Sequence, residues 1–378
     1  MRYPTDAANR WLSVFTVFCL FSGGFWPALL GRWGALVLLA ALTAGVAVVM
    51  TRRRLWARLP LRRFPRTLLL LALVLVLSIS WSPWPGSTAL SLLLLAVLTL
   101  LGLYLTTALS WPGILTALGI ALTRILALSL ILEFVAAVFV RQPIFTYGAV
   151  WNEAALFRGG PIQGIVGDAG VLAFLAVLTA IVVGVQLAQG LTRTRPAVAW
   201  LIVAALVLAL TRSLPALIAL AAAALLAGAL LLGRRLGTGR RLWVLAGIAA
   251  LTLAVVITLM ATRSMPLSSL WPALATESGP VAVVLLVLFL VGTGYRTWWL
   301  AVDPPLDRTG ARLPLVATTL APALLLGALV AESAVGDQLL GPIGWVLLIV
   351  VGVKTKLELT DVDLPLTTPV AREHAVAP

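Results

Sequence analysis

Long apolar runs alternate with short polar gaps along the whole chain. Leu, Ala and Val dominate the runs, and each approaches the roughly 20 residues that a helix needs to cross a bilayer. Strands of a membrane barrel would alternate apolar and polar residues over roughly ten positions, and these runs do not. The pattern predicts about twelve transmembrane helices, over 12–29, 34–50, 67–84, 88–109, 114–139, 171–189, 197–212, 214–232, 242–261, 280–299, 314–331 and 339–353. The predicted fold class is all-α, an integral membrane bundle forming one domain over 1–353. The polar, proline- and acid-containing tail over 354–378 reads as a disordered cytoplasmic end. No small-residue cleavage site follows the first run and a second run comes at once, so Trp11 to Leu30 reads as a retained helix with a tight turn at Gly31 to Trp33.

Composition agrees with the pattern and removes other classes. The chain is 61% hydrophobic and 11% charged, with mean hydropathy +1.09, which excludes a water-soluble globular domain. Its net charge of +14 raises nucleic acid as a partner, but the arginines cluster in short gaps between apolar runs, as topology signals do. With both termini cytoplasmic in the inner (plasma) membrane, twenty-one basic residues fall inside and five outside: Arg32, Arg141, Arg158, Arg212 and Arg263. Arg124 remains, within the fifth run. No nucleic-acid role is expected. The single Cys19 excludes an internal disulfide, and the single His374, in the tail, leaves no histidine metal site or triad in the membrane. GRRLGTGRR lacks the Lys-Ser/Thr of a phosphate-binding loop, so neither metal nor cofactor is predicted.

One polar, glycine-dense island interrupts the hydrocarbon: Phe157 to Gly170, FRGGPIQGIVGDAG. Gly159, Gly160, Gly164, Gly167 and Pro161 oppose a regular helix, while Arg158, Gln163 and Asp168 supply charge and hydrogen bonds. The segment is either a plain loop or the lining of a polar site. Arg158 could merely snorkel to lipid phosphate. Arg212, in LTRSLP, sits where two apolar runs meet, and Arg263, in ATRSMP, repeats the Thr-Arg-Ser pattern. Guanidinium forks match phosphate oxygens in bidentate fashion, so arginines near the outer edge point to a lipid phosphate or diphosphate. Glu277, in LWPALATESGP, is the carboxylate best placed as a general base, or else a helix N-terminal acid. Asp168 is either a lining residue or the N-cap of the sixth helix. Glu133 and Arg124 are intramembrane ionisable residues nine positions apart, on roughly opposite helix faces, so each is expected to pair with another helix.

Four segments, in this order, resemble the O-antigen ligase and polymerase family of bacterial membrane glycan enzymes: LSISWSPWPGSTALSLLLL, FRGGPIQGIVGDAGVLAFLAVL, LALTRSLPALIALAAAALL and SSLWPALATESGPVAVVLLVLF. The resemblance spans roughly 67–299. It implies transfer of a glycan from a polyprenyl diphosphate to a sugar hydroxyl at the outer face, without metal, alongside other polysaccharide-assembly proteins. Arg158 and Arg212 match its arginine positions and Glu277 its acidic position. Ser268 stands where the family has a histidine, nine residues before the acid, and the outer loop there is shortened to Thr262 to Gly279. The implied substrate-binding set is Arg158, Arg263, Gln163, Asp168 and Ser268, with Glu277 and Arg212 catalytic. Two rival readings are a catalytically degenerate member acting as an assembly subunit, and a secondary transporter with helices broken near the midplane at Pro215 or Gly119.

Overall fold

Hydrocarbon offers no partner to a peptide group, so each apolar run satisfies its backbone internally as a helix. The computed structural model describes residues 7–59, 64–147, 149–236, 247, 268–303 and 316–360. Among these residues, seven helices are long and apolar enough to cross a membrane, which makes the chain an all-α, multi-pass membrane protein. They are α2 (Phe25–Arg52), α4 (Pro85–Ala108), α5 (Trp111–Val135, prolonged by a π-helical turn, Ala136–Val140), α6 (Ala169–Ala188), α7 (Thr194–Thr211), α8 (Leu214–Arg235) and α10 (Pro280–Val302). Between and beside them lie α1 (Ala7–Phe21), α3 (Arg66–Leu77), the short α9 (Leu270–Glu277), α11 (Ala321–Glu332) and α12 (Pro342–Thr360). The predicted run at 242–261, Arg263, residues 304–315 and the tail beyond 360 lie outside the described residues.

Three boundaries differ from the sequence pattern. The first turn falls at Ser22 to Gly24, because Gly24 presses against the carbonyl of Val166, where a Cβ would lie 1.9 Å from that oxygen. Gly31, at φ 73°, kinks α2 where the sequence pattern placed a turn. The polar tail is helical through Thr360, because its first residues are tied into the bundle. Lys354 is buried and donates to the carbonyls of Leu109 (2.7 Å) and Thr106 (3.2 Å), while Trp111 Nε1 donates to Glu358 Oε2 (2.7 Å).

α6 is the most buried of the seven spanning helices and packs against α5, α7, α8 and α11. The gaps gather into two ends of the bundle. At one end, cations cap helix C-termini, whose last carbonyls lack partners of their own. Arg58 Nη1 donates to Thr107 O (3.1 Å), and Arg234 Nε to Ala301 O (2.8 Å). Arg234 Nη2 also reaches Thr319 Oγ1 (2.9 Å), and Gln189 Oε1 accepts from Ala317 N (2.6 Å). The opposite end carries the polar loops: a two-stranded antiparallel hairpin of β1 (Ile144–Thr146) and β2 (Ala149–Asn152), the glycine-dense island, the α7–α8 corner, α9 and the α11–α12 connection. Neither Pro215 nor Gly119 breaks a helix. Pro215 lies in the first turn of α8, where no N–H is missed, and Gly119 makes room for the Gln186 side chain against α5.

Candidate functional site

The site begins on α5, where Ser129 and Glu133 stand one turn apart on the buried face. Glu133 is fully buried, and its Oε1 accepts three hydrogen bonds: from Asn152 Nδ2 (2.7 Å), Gln163 N (2.8 Å) and Gly164 N (2.9 Å). Ser129 Oγ accepts from Ile165 N (3.2 Å). The partner of Glu133 is therefore the polar island and the hairpin, where the sequence pattern led to another helix. Helical periodicity tells which way a side chain points, and is silent on what packs there.

Contact this close requires a glycine. Gly164 sits at φ +60°, and a Cβ on it would lie 2.4 Å from Ser129 Cβ and 2.5 Å from Ser129 Oγ. The chain then makes a 3₁₀ turn, Gly164–Val166, closed by Gly167 at φ 77°. Asp168 follows in an extended conformation, and its Oδ1 accepts from Val171 N (2.8 Å), which makes it the N-cap of α6. Trp151 covers the turn, donating from Nε1 to Ile165 O (3.0 Å) with its ring 6.4 Å from that of Phe25. Among the described residues, two buried acceptors remain without a partner, Glu133 Oε2 and Gln163 Oε1.

Above this anchor the exposed arginines converge. The π-helical end of α5 stops at Arg141, held in the left-handed region (φ 56°), and Arg158 Nη2 donates to Arg141 O at 2.5 Å. Arg212, also left-handed (φ 51°), forms the α7–α8 corner, and a Cβ on Gly159 would lie 4.0 Å from its Nη2. Ile162 N donates to Leu210 O (3.4 Å), which pins the island to the same corner. The Arg212 side chain thus reaches the backbone of Gly159, and the neighbouring Arg158 turns its guanidinium to the Arg141 carbonyl. No carboxylate among the described residues forms an ion pair with any of the three. A surface of guanidinium groups beside a bare glycine backbone can take an anion by charge and by hydrogen-bond donation.

Other predicted residues form a second locus at the same end. Ser268 is buried, its N donates to Ala334 O (3.3 Å) and its Oγ accepts from Leu270 N (3.1 Å). Trp271 Nε1 donates to Ser333 O (3.1 Å), tying α9 to the α11–α12 connection. Glu277 is exposed at the C-terminal end of α9, two residues before Gly279, which stands at the N-cap of α10. No hydrogen bond or ion pair among the described residues joins Glu277 to Arg158 or Arg212. Nearby, Glu332 is buried, and its Oε2 accepts from Gln338 N (3.1 Å). Arg263 lies outside the described residues.

Sequence reasoning had no place in the site for Arg141, Asn152 and Ser129, and gave Glu133 no role there. The signal for Arg141 was present, since it is one of five arginines that topology does not require. The contacts of Asn152 and Ser129 exist only once the island folds back on α5. No protein-family model, curated protein or solved structure matches the chain.

Proposed function

We propose that this chain transfers a glycan from a polyprenyl diphosphate to a sugar hydroxyl at the outer face of the cell's inner membrane. It does so as a twelve-span bundle with both termini cytoplasmic. The observation that carries this reading is the Arg212 side chain at the backbone of Gly159, next in sequence to the exposed Arg158, on a loop anchored to α5 by Glu133. The likeness of four segments to the O-antigen ligase and polymerase family supplies the reaction class.

The acceptor oxygen attacks the anomeric carbon of the donor sugar, the bond from that carbon to the diphosphate oxygen breaks, and the acceptor proton passes to Glu277. Charge then accumulates on the departing diphosphate, where Arg158 and Arg212 stabilise it, and Arg141 adds to the local field. Left-handed backbone at Arg141 and Arg212 is strained for a residue with a Cβ, and strain of this kind clusters at ligand-binding positions. Gln163, Asp168, Ser268 and Arg263 complete the proposed lining.

A second reading, of a degenerate member that holds lipid-linked glycan as an assembly subunit, draws on the exposed Glu277 without a bond to the arginines and on Ser268 in the histidine place. The transporter reading loses ground because Pro215 and Gly119 lie in unbroken helices. One experiment separates the first two. In cells lacking the chain, carrier-linked glycan should accumulate, and wild type should clear it while Arg212→Ala and Glu277→Ala do not. Clearance by Glu277→Ala but not by Arg212→Ala would leave binding without Glu277 chemistry; clearance by both would end the transferase reading.

A further inference from the structure

The geometry points to a docking seat in the middle of the membrane: the outward stripe of α5 that begins at Arg124 and continues to Val135 receives a transmembrane helix of another protein that carries a carboxylate at its centre. This rests on α5 alone and holds whether or not the chain is a transferase.

Depth is the first observation. Arg124 lies thirteen residues from Trp111, at the basic end, and nine from Glu133, beneath the polar loops. At 1.5 Å per residue those separations are about 20 Å and about 14 Å, which places Arg124 near the centre of a hydrocarbon core about 30 Å thick. Contacts of α5 agree, because Gln186 Nε2 of α6 donates to Leu115 O (2.8 Å) on one side of Arg124 and the polar island bonds to Glu133 on the other.

Exposure is the second. Ala121, Leu122, Ile125 and Leu126 around it are buried, whereas Arg124 is exposed. Leu128 (38% exposed), Ile131 (58%) and Val135 (39%) continue its stripe at helical spacing. Arg124 makes no hydrogen bond or ion pair with any described residue.

A guanidinium does not lose its proton, so the charge stays and needs a counter-charge where it stands. Lipid phosphate is out of range, since an arginine stem is shorter than the path from Arg124 to either interface. A second copy of this chain is also a poor occupant. A two-fold contact centred on the stripe would set Arg124 against Arg124. Among the described residues, every carboxylate of this chain is buried or stands at an end of the bundle, so no other face of a second copy offers one at this depth. What remains is a different chain with Asp or Glu in a membrane helix. Charge matched inside hydrocarbon would also select that partner against other apolar helices.

The test uses the full chain in vesicles of zwitterionic lipid and synthetic Leu-rich transmembrane peptides, dansyl-labelled, with a single central Glu or with Leu in its place. Energy transfer from the 14 tryptophans reports association. The Glu peptide should reach half-saturation at about a tenfold lower mole fraction than the Leu peptide. Arg124→Leu should remove that advantage, and Arg124→Glu should restore it for a peptide with a central Arg. Equal transfer from Glu and Leu peptides, or an unchanged preference in Arg124→Leu, would overturn the proposal. So would energy transfer between labelled copies of the protein that Arg124→Leu abolishes, because the occupant would then be a second copy.

Discussion

Gly164→Ala should unseat the polar island and abolish function while leaving the helical bundle in place. Two costs coincide at this residue. A left-handed backbone costs an alanine roughly 1–2 kcal/mol, and φ at Gly164 is +60°. The new Cβ would also fall 2.4 Å from Ser129 Cβ, a distance at which something must move, and overpacking of this kind costs typically 1–3 kcal/mol. Together these costs, roughly 2–5 kcal/mol, match what the hydrogen bonds of Gln163 N, Gly164 N and Ile165 N to Glu133 and Ser129 return at about 1 kcal/mol or somewhat more each. Limited proteolysis of the purified protein checks this: the variant should be cut in the Phe157 to Gly170 region at least tenfold faster than wild type, with unchanged helix content. Adding Ser129→Gly should recover the steric share and leave the backbone share. Wild-type resistance in Gly164→Ala would mean that the island does not rest on α5.

Glu133→Leu should be of similar severity, for a different reason. Asn152 Nδ2, Gln163 N and Gly164 N all donate to Glu133 Oε1 in a place closed to water. Leucine leaves three donors without an acceptor, at about 1–3 kcal/mol each, so a loss of roughly 3–9 kcal/mol in the seating of the island follows. Glu133→Gln keeps one oxygen for those donors. Its amide nitrogen takes the place of Glu133 Oε2, which has no hydrogen-bond partner among the described residues. The glutamine variant should therefore keep most of the stability and proteolytic resistance that leucine loses. If glutamine is as damaging as leucine to both stability and glycan transfer, the negative charge itself, rather than its capacity to accept, is what the site needs. If glutamine folds normally and still abolishes transfer, Glu133 has a direct part in the chemistry.

These two residues also show where the sequence ceased to be informative. Hydropathy located the seven long apolar helices among the described residues because lipid imposes the same demand on every run. Asp168 in front of an apolar run carried its N-cap role openly. By contrast, Glu133 meets Gln163 and Gly164 thirty and thirty-one positions later, and no local pattern encodes that return of the chain. The early turn at Gly24 depends on the carbonyl of Val166, and the helical start of the tail depends on Lys354 reaching α4. Each of these is a tertiary contact that overrides a local propensity.

The central claim is that Arg158 and Arg212 hold a diphosphate, and direct binding tests it most closely. The full chain in neutral detergent should bind a polyprenyl diphosphate at least about tenfold more tightly than the corresponding polyprenol, with the monophosphate between them. Arg158→Gln and Arg212→Gln should each reduce diphosphate affinity by about tenfold, leave polyprenol affinity unchanged, and weaken the salt dependence of binding. Equal affinity for diphosphate and polyprenol, or full diphosphate affinity in both variants, would contradict the account.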